Sequence, residues 1–225
     1  MQFPIWPFSI SKLKNAGFKL LLAGIVCFQA QAFDLDLNIL KQIKERFGED
    51  ASERILEWQR IVRDNQQLEE SAKLELINQF FNQVKFISDA EHWQREDYWA
   101  TPIEMLATNG ADCEDYSIAK YFTLRELGIA DEQLKITYVK ALRLNQAHMV
   151  LAYYPSPGAE PLILDNLINE ILPASQRPDL APVYSFNGEG LWLSKLSSQE
   201  GKRIGEASKL KNWQDNMTRH HRLFK

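Results

Sequence analysis

The sequence predicts an α+β fold: N-terminal helices and one later helix packed on an antiparallel sheet. Three observations predict it. Apolar residues recur at helical spacing through the first part of the chain. After Lys135 the period changes to strand-like alternation. The strands then follow one another across short breaks, which favours antiparallel pairing. Of the 225 residues, 45% are hydrophobic and 25% charged, a balance that can bury a core and argues against disorder. No internal repeat or collagen-like period is present.

Residues 1–32 read as a secretory signal. Lys12, Lys14 and Lys19 occur there without any acid, an apolar run spans Leu20 to Phe28, and Ala30 and Ala32 stand at −3 and −1 of a cut after Ala32. The apolar run is too short for a stable bilayer anchor. An uncleaved anchor and a buried N-terminal helix are the alternatives. Lipoprotein processing at Cys27 is disfavoured because Val26 precedes it. Residues 33–225 show no linker and are expected to form one domain in the periplasm. Removing the signal takes away three positive charges and moves the net charge from −4 to −7. An acidic protein is a poor partner for nucleic acid or an anionic membrane surface.

Helical spacing is carried by Ile39, Leu40, Ile43 and Phe47, then by Ile55, Trp58, Ile61 and Val62, then by Leu74, Ile77, Phe80, Phe81 and Val84. Gly48 and Asp64-Asn65 mark breaks, so residues 38–87 make two or three helices. Residues 88–111 read as irregular and end in an Asn109-Gly110 turn. Asp112 can cap a helix that runs to about Leu127, with Gly128 as its stop and Tyr116, Ala119 and Leu127 on an apolar face. Strands are expected over Lys135–Leu144, Ala147–Tyr154 and Leu162–Leu167, separated by Asn145-Gln146 and by Pro155-Ser156-Pro157-Gly158. The tail after Leu167 has scattered Pro and Gly, an aromatic stretch from Tyr184 to Trp192 and a basic end.

Cleavage after Ala32 would leave Cys113 as the one cysteine, in a compartment that oxidises thiols. A lone exported thiol is either a small buried hydrophobe or a reactive group. Its position at the first turn of a helix, beside N–H groups and the positive end of the dipole, suits a nucleophile. A nucleophilic thiolate needs a base and an acceptor that orients it. His148 opens a strand, and Asp165 is a lone acid in the apolar strand beginning Leu162-Ile163-Leu164, which burial requires to be paired. His220 and His221 lie in the basic tail and are expected to be solvated, and His92 lies in the irregular stretch. Cys113, His148 and Asp165 therefore form the candidate triad. The Cys113 backbone N–H is the default oxyanion donor, with a second expected from the stretch Trp93 to Trp99, where Tyr98 and Trp99 are equally well placed as core or as cleft wall.

The segment Asn109-Gly-Ala-Asp-Cys-Glu-Asp-Tyr-Ser-Ile-Ala-Lys-Tyr, with Leu124-Arg-Glu-Leu-Gly128, Ala147-His-Met-Val-Leu151 and Leu164-Asp165-Asn166, resembles the bacterial transglutaminase-like cysteine proteinases. The resemblance covers most of the chain beyond the signal. It implies a papain/transglutaminase-like core with Cys113 as nucleophile, His148 as base and Asp165 as orienter.

Asp112, Glu114 and Asp115 crowd the nucleophile with charge that opposes a thiolate. Capping accounts for one or two of them; a bound Ca²⁺ would offset all three, although the spacing is not an EF-hand loop. The resemblance implies calcium dependence, with ligands at Asp112, Glu114 and Asp115. It further implies a large surface adhesin as substrate, cut near its N-terminus to promote biofilm release, and an inner-membrane cyclic-dinucleotide receptor that sequesters the peptidase. Two other readings keep the same residues: acyl transfer to an amine, as in a transglutaminase, and a non-catalytic calcium-responsive binding module.

Overall fold

The computed structural model describes residues 35–193 and 201–223. The expected export signal lies outside the described residues. No helix among the described residues is long and apolar enough to cross a membrane.

Three helices follow the apolar periodicity: α1 (Leu37–Phe47), α2 (Glu49–Asp64) and α3 (Glu70–Phe81). Asp36 caps α1 by accepting from the Asn38 N–H at 2.8 Å. The breaks fall at Gly48 and Asn65, as the sequence predicts. Ile55, Trp58 and Val62 of α2 and Leu74, Ile77 and Phe81 of α3 are fully buried.

The stretch read as irregular holds two short helices, α4 (Asp89–His92) and α5 (Pro102–Thr108), flanked by a parallel pair of two-residue strands, β1 (Lys85–Phe86) and β2 (Gly110–Ala111). Thr101 and Glu104 cap α5 reciprocally, with Pro102 at its first position. That start was readable as Thr-Pro-Ile-Glu, a capping box with proline at N1.

The helix that begins at Cys113 is α6 (Cys113–Glu126), and it stops at Gly128, whose φ of 88° suits a glycine. Its expected apolar face is buried, and burial extends well beyond that face. Every residue from Glu114 to Leu124 is buried, because α6 packs on the sheet, α3 and α5 at once. Lys73 of α3 donates to the Leu127 carbonyl at 2.8 Å, placing a cation at the C-terminal end of α6.

The sheet begins with β3 (Leu134–Ala141), β4 (Gln146–Tyr153) and β5 (Leu162–Leu164), paired antiparallel in the expected order. β5 stops three residues short of Leu167, so Asp165 lies just beyond its end. Four further strands come from the tail: β6 (Leu172–Pro173), β7 (Leu180–Phe186), β8 (Leu191–Leu193) and β9 (Lys202–Gly205). Among the described residues the order is β6-β5-β4-β3-β7-β8-β9. One face, with Ile136, Met149, Leu151, Leu164 and Phe186, joins the helical core; Val139, Val150, Ala152 and Ile163 form a smaller cluster. Burying each aliphatic side chain contributes roughly 1.5–3 kcal/mol, so these faces fix the register.

The basic end forms α7 (Lys211–Leu223), which buries Trp213 and His220. This corrects the expectation that both tail histidines are solvated. His221 is exposed, but His220 stacks on Phe122 of α6 at 3.9 Å, and burial pushes its pKa down to about 3. α7 needs an apolar anchor against α6, and a neutral imidazole serves as one.

Candidate active site

Cys113 is delivered by a tight loop. A Cβ added at Gly110 would stand 2.7 Å from the His92 ring and 2.9 Å from Ile87, so only glycine allows β2 to lie this close. His92 itself is engaged at 2.9 Å with Thr108. The loop ends at Asp112, the N-cap, and Cys113 is the first residue of α6 and half-buried.

Two sets of groups act on the sulfur. Burial pushes the thiol pKa up, and the charges of Glu114 and Asp112 push it further. The thiol donates to Glu114 Oε2 at 3.1 Å. The backbone N–H of Met149 faces the sulfur and acts in the opposite direction. That contact sets Cys113 beside the residue that follows His148. β5 pairs β4 only from Leu151 onward, which leaves the start of β4 without a ladder partner on that edge.

His148 and Asp165 meet as the sequence predicts. His148 Nε2 lies 2.8 Å from Asp165 Oδ1, with the two residues 4% and 1% exposed. Burial alone would raise the Asp165 pKa. The hydrogen bond and charge of His148, the Leu167 N–H and Arg177 outweigh it and hold the group at about 2. With Nε2 committed to the carboxylate, Nδ1 is the ring nitrogen left to exchange a proton.

Beneath this pair lies Lys120 of α6, fully buried, its amine without a hydrogen-bond partner among the described residues. Burial lowers its pKa from 10.5 to about 7, opposed by the attraction of Asp165. The folded-state value is below the unfolded one, so the unfolded chain binds more protons between about 7 and 10.5, and stability rises with pH across that window. The full penalty is present below pH 7. Lys120→Met is therefore expected to stabilise the protein at neutral pH by about 1–4 kcal/mol and to lose its advantage toward pH 10. Urea midpoints of both proteins from pH 6 to 10 check this; a constant difference between them contradicts it.

The acids around Cys113 divide into two groups. Oxygens of Asp112, Glu114 and Asp89 all lie within 4.8 Å of one another. Oδ1 of Asp89 and Oδ1 of Asp112 are buried with no hydrogen-bond partner among the described residues, while Asp89 Oδ2 accepts from the Tyr98 N–H. The pKa values of Asp112, Glu114 and Asp89 are raised, by burial first and then by neighbouring acids. Unsatisfied, mutually repelling hard oxygens fit a divalent cation such as calcium. Asp115 stands apart: its Oδ1 accepts from the Ala100 N–H at 2.6 Å and its Oδ2 from the Asp112 N–H at 3.3 Å. It braces the loop. Asp89 was invisible to sequence reasoning because it lies in a stretch that reads as irregular, far along the chain from Asp112 and Glu114. Trp99, offered as core or cleft wall, is core: it stacks on Phe186 at 5.5 Å.

The profile of the bacterial transglutaminase-like cysteine proteinases matches residues 49–181, a span that contains Cys113, His148, Asp165 and all four acids. The chain belongs to that family. Among solved structures, Legionella pneumophila LapG is 42% identical with a TM-score of 0.70, over 81% of this chain and 96% of that one. The EGTA-treated LapG of the same organism is 43% identical, with a TM-score of 0.71 over 81% and 96%. The calcium-bound LapG is 42% identical, with a TM-score of 0.70 over 81% and 98%. No match is found among curated proteins. This member of the family has the mixed helical and antiparallel LapG-like fold.

Proposed function

We propose that this cysteine proteinase is a calcium-dependent endopeptidase in which Cys113 is the nucleophile, His148 the base and Asp165 the orienter. The observation that carries the reading is the buried His148–Asp165 pair at 2.8 Å, next to a thiol at a helix start whose sulfur faces the Met149 N–H. His148 Nδ1 takes the thiol proton, and the thiolate adds to the scissile carbonyl. His148 returns the proton to the departing amine, leaving a thioester on Cys113. Water, deprotonated by the same imidazole, then hydrolyses the thioester. Asp165 keeps the proton on Nε2 and stabilises the imidazolium. Asp89, Asp112 and Glu114 would hold the calcium, and its charge would offset the carboxylates beside the sulfur.

Family membership and the calcium-bound LapG relative support the calcium requirement. The resemblance to that family supports a large surface adhesin as substrate, cut near its N-terminus with release of the biofilm, and an inner-membrane cyclic-dinucleotide receptor that withholds the enzyme. The acid-free basic start and Ala-Gln-Ala exit support export to the periplasm with Phe33 as the first mature residue. The test is incubation of the purified protein with the host's large exported adhesins, with Ca²⁺ and with EGTA. One N-terminal cut in the calcium arm is expected, and none by Cys113→Ala. Ammonia release with amine incorporation and no cut would replace this reading with acyl transfer.

A further inference from the structure

We infer that Arg177 is the positioning residue of this site, a buried clamp that fixes the plane of the Asp165 carboxylate and so the ring of His148. The inference rests on the triad reading and extends it by one residue.

The two oxygens of Asp165 have separate duties. Oδ1 takes His148 Nε2 at 2.8 Å and the Leu167 N–H at 3.0 Å. Oδ2 takes Arg177 Nη2 at 2.7 Å. Arg177 is 4% exposed and is itself held from behind: its Nε donates to Asp179 Oδ1 at 3.1 Å and Nη2 to Asp179 Oδ2 at 2.9 Å. The backbone is fixed as well. Arg177 N–H donates to the Ala174 carbonyl, the Arg177 carbonyl accepts from Leu180, and the Asp179 carbonyl accepts from Leu142 in the β3–β4 turn.

Asp165 sits just past the end of β5, where the ladder no longer restrains it. The terminal torsion of a carboxylate is broad and roughly two-fold. Left alone, it could swing away from His148 and free the imidazole to change tautomer. A planar guanidinium set by two carboxylates removes that freedom, which an ammonium at the same place would not. The titratable and charged groups around the cluster are Asp165, Asp179, His148, Lys120 and Arg177, with Arg143 acting on Asp179. Two carboxylates share the guanidinium through Nε and Nη2, while Nη1 is buried without a hydrogen-bond partner among the described residues.

The experiment compares Arg177→Met, Arg177→Lys and Asp179→Asn with wild type, by steady-state cleavage and by the His148 Nε2–H proton resonance in a Cys113→Ala background. Arg177→Met is expected to lower kcat by about 10- to 100-fold with KM changed by less than about threefold, and to weaken or erase the downfield Nε2–H resonance. Arg177→Lys should recover part of kcat, and Asp179→Asn should lower kcat in the same manner but less. If Arg177→Met fails to fold, Asp179→Asn decides the matter, because it frees Arg177 without touching Asp165. Unchanged kcat and resonance in the folded variants overturn the clamp. If the resonance depends on Arg177 but wild-type cleavage does not depend on Cys113, the clamp stands and the peptidase reading falls.

Discussion

Cys113→Ala is expected to abolish cleavage while leaving the fold intact. The side chain is small and half-buried, so its loss opens little space in the core. Its chemistry has no substitute among neighbouring residues. His148→Ala should be nearly as severe, because the imidazole that takes the thiol proton and returns it to the departing amine is then gone. Members of such a unit act together, and losing either nucleophile or base typically costs about a millionfold in turnover. Asp165→Asn should cost less than either, yet still about 10⁴-fold, since an amide favours the wrong tautomer of the imidazole. It also leaves Arg177 facing a neutral group in a buried site, so a fall in stability should accompany the fall in rate. Single-turnover cleavage and thermal melts of the three variants check this. Wild-type turnover by Cys113→Ala would refute the nucleophile.

Chelation carries the second large effect. Three carboxylates meet within 4.8 Å beside the sulfur, and without a cation their charge opposes the thiolate. Each unit of thiol pKa is a tenfold change in thiolate, so EGTA is expected to lower activity by at least about 100-fold, with recovery on adding Ca²⁺. Asp89→Ala, Asp112→Ala and Glu114→Ala should each weaken calcium and activity together. Asp115→Ala should act differently, destabilising the loop through the lost bonds to Ala100 and Asp112 rather than lowering calcium affinity first. Calcium bound only to the native state raises the melting temperature with the logarithm of its concentration. Mg²⁺ should substitute poorly because it demands a tight octahedral shell. If the acids serve only as helix caps, Asp112→Ala would cost about 1 kcal/mol and chelator would change nothing.

Much of this was legible in the chain. The apolar spacing of Ile55, Trp58 and Val62 and of Leu74, Ile77 and Phe81 marks helices whose inner faces are buried. A capped helix start, a histidine opening one strand and a lone acid inside the next pointed to Cys113, His148 and Asp165 as one site, although Asp165 stands just past the end of β5. What escaped notice has identifiable causes. β6 has two residues, β8 three, and β7 contains Pro182, so alternation had no length in which to show. α7 is strongly polar and anchors through Trp213 and His220, a residue that counts as polar until burial neutralises it. Asp89 lies 23 positions before Asp112 and meets it only after folding. Arg177 follows a short 3₁₀ turn before a proline, a context that reads as loop.

The proposed triad and calcium site meet at one sulfur. The rate of Cys113 alkylation by iodoacetamide at pH 7 measures its reactivity without any substrate, in wild type and His148→Ala, each with Ca²⁺ and with EGTA. Rapid alkylation is predicted only for wild type with Ca²⁺, and slow alkylation in the other three samples. Equal rates in all four would rule out this mechanism, because the thiol would then owe nothing to the imidazole or to the cation beside it.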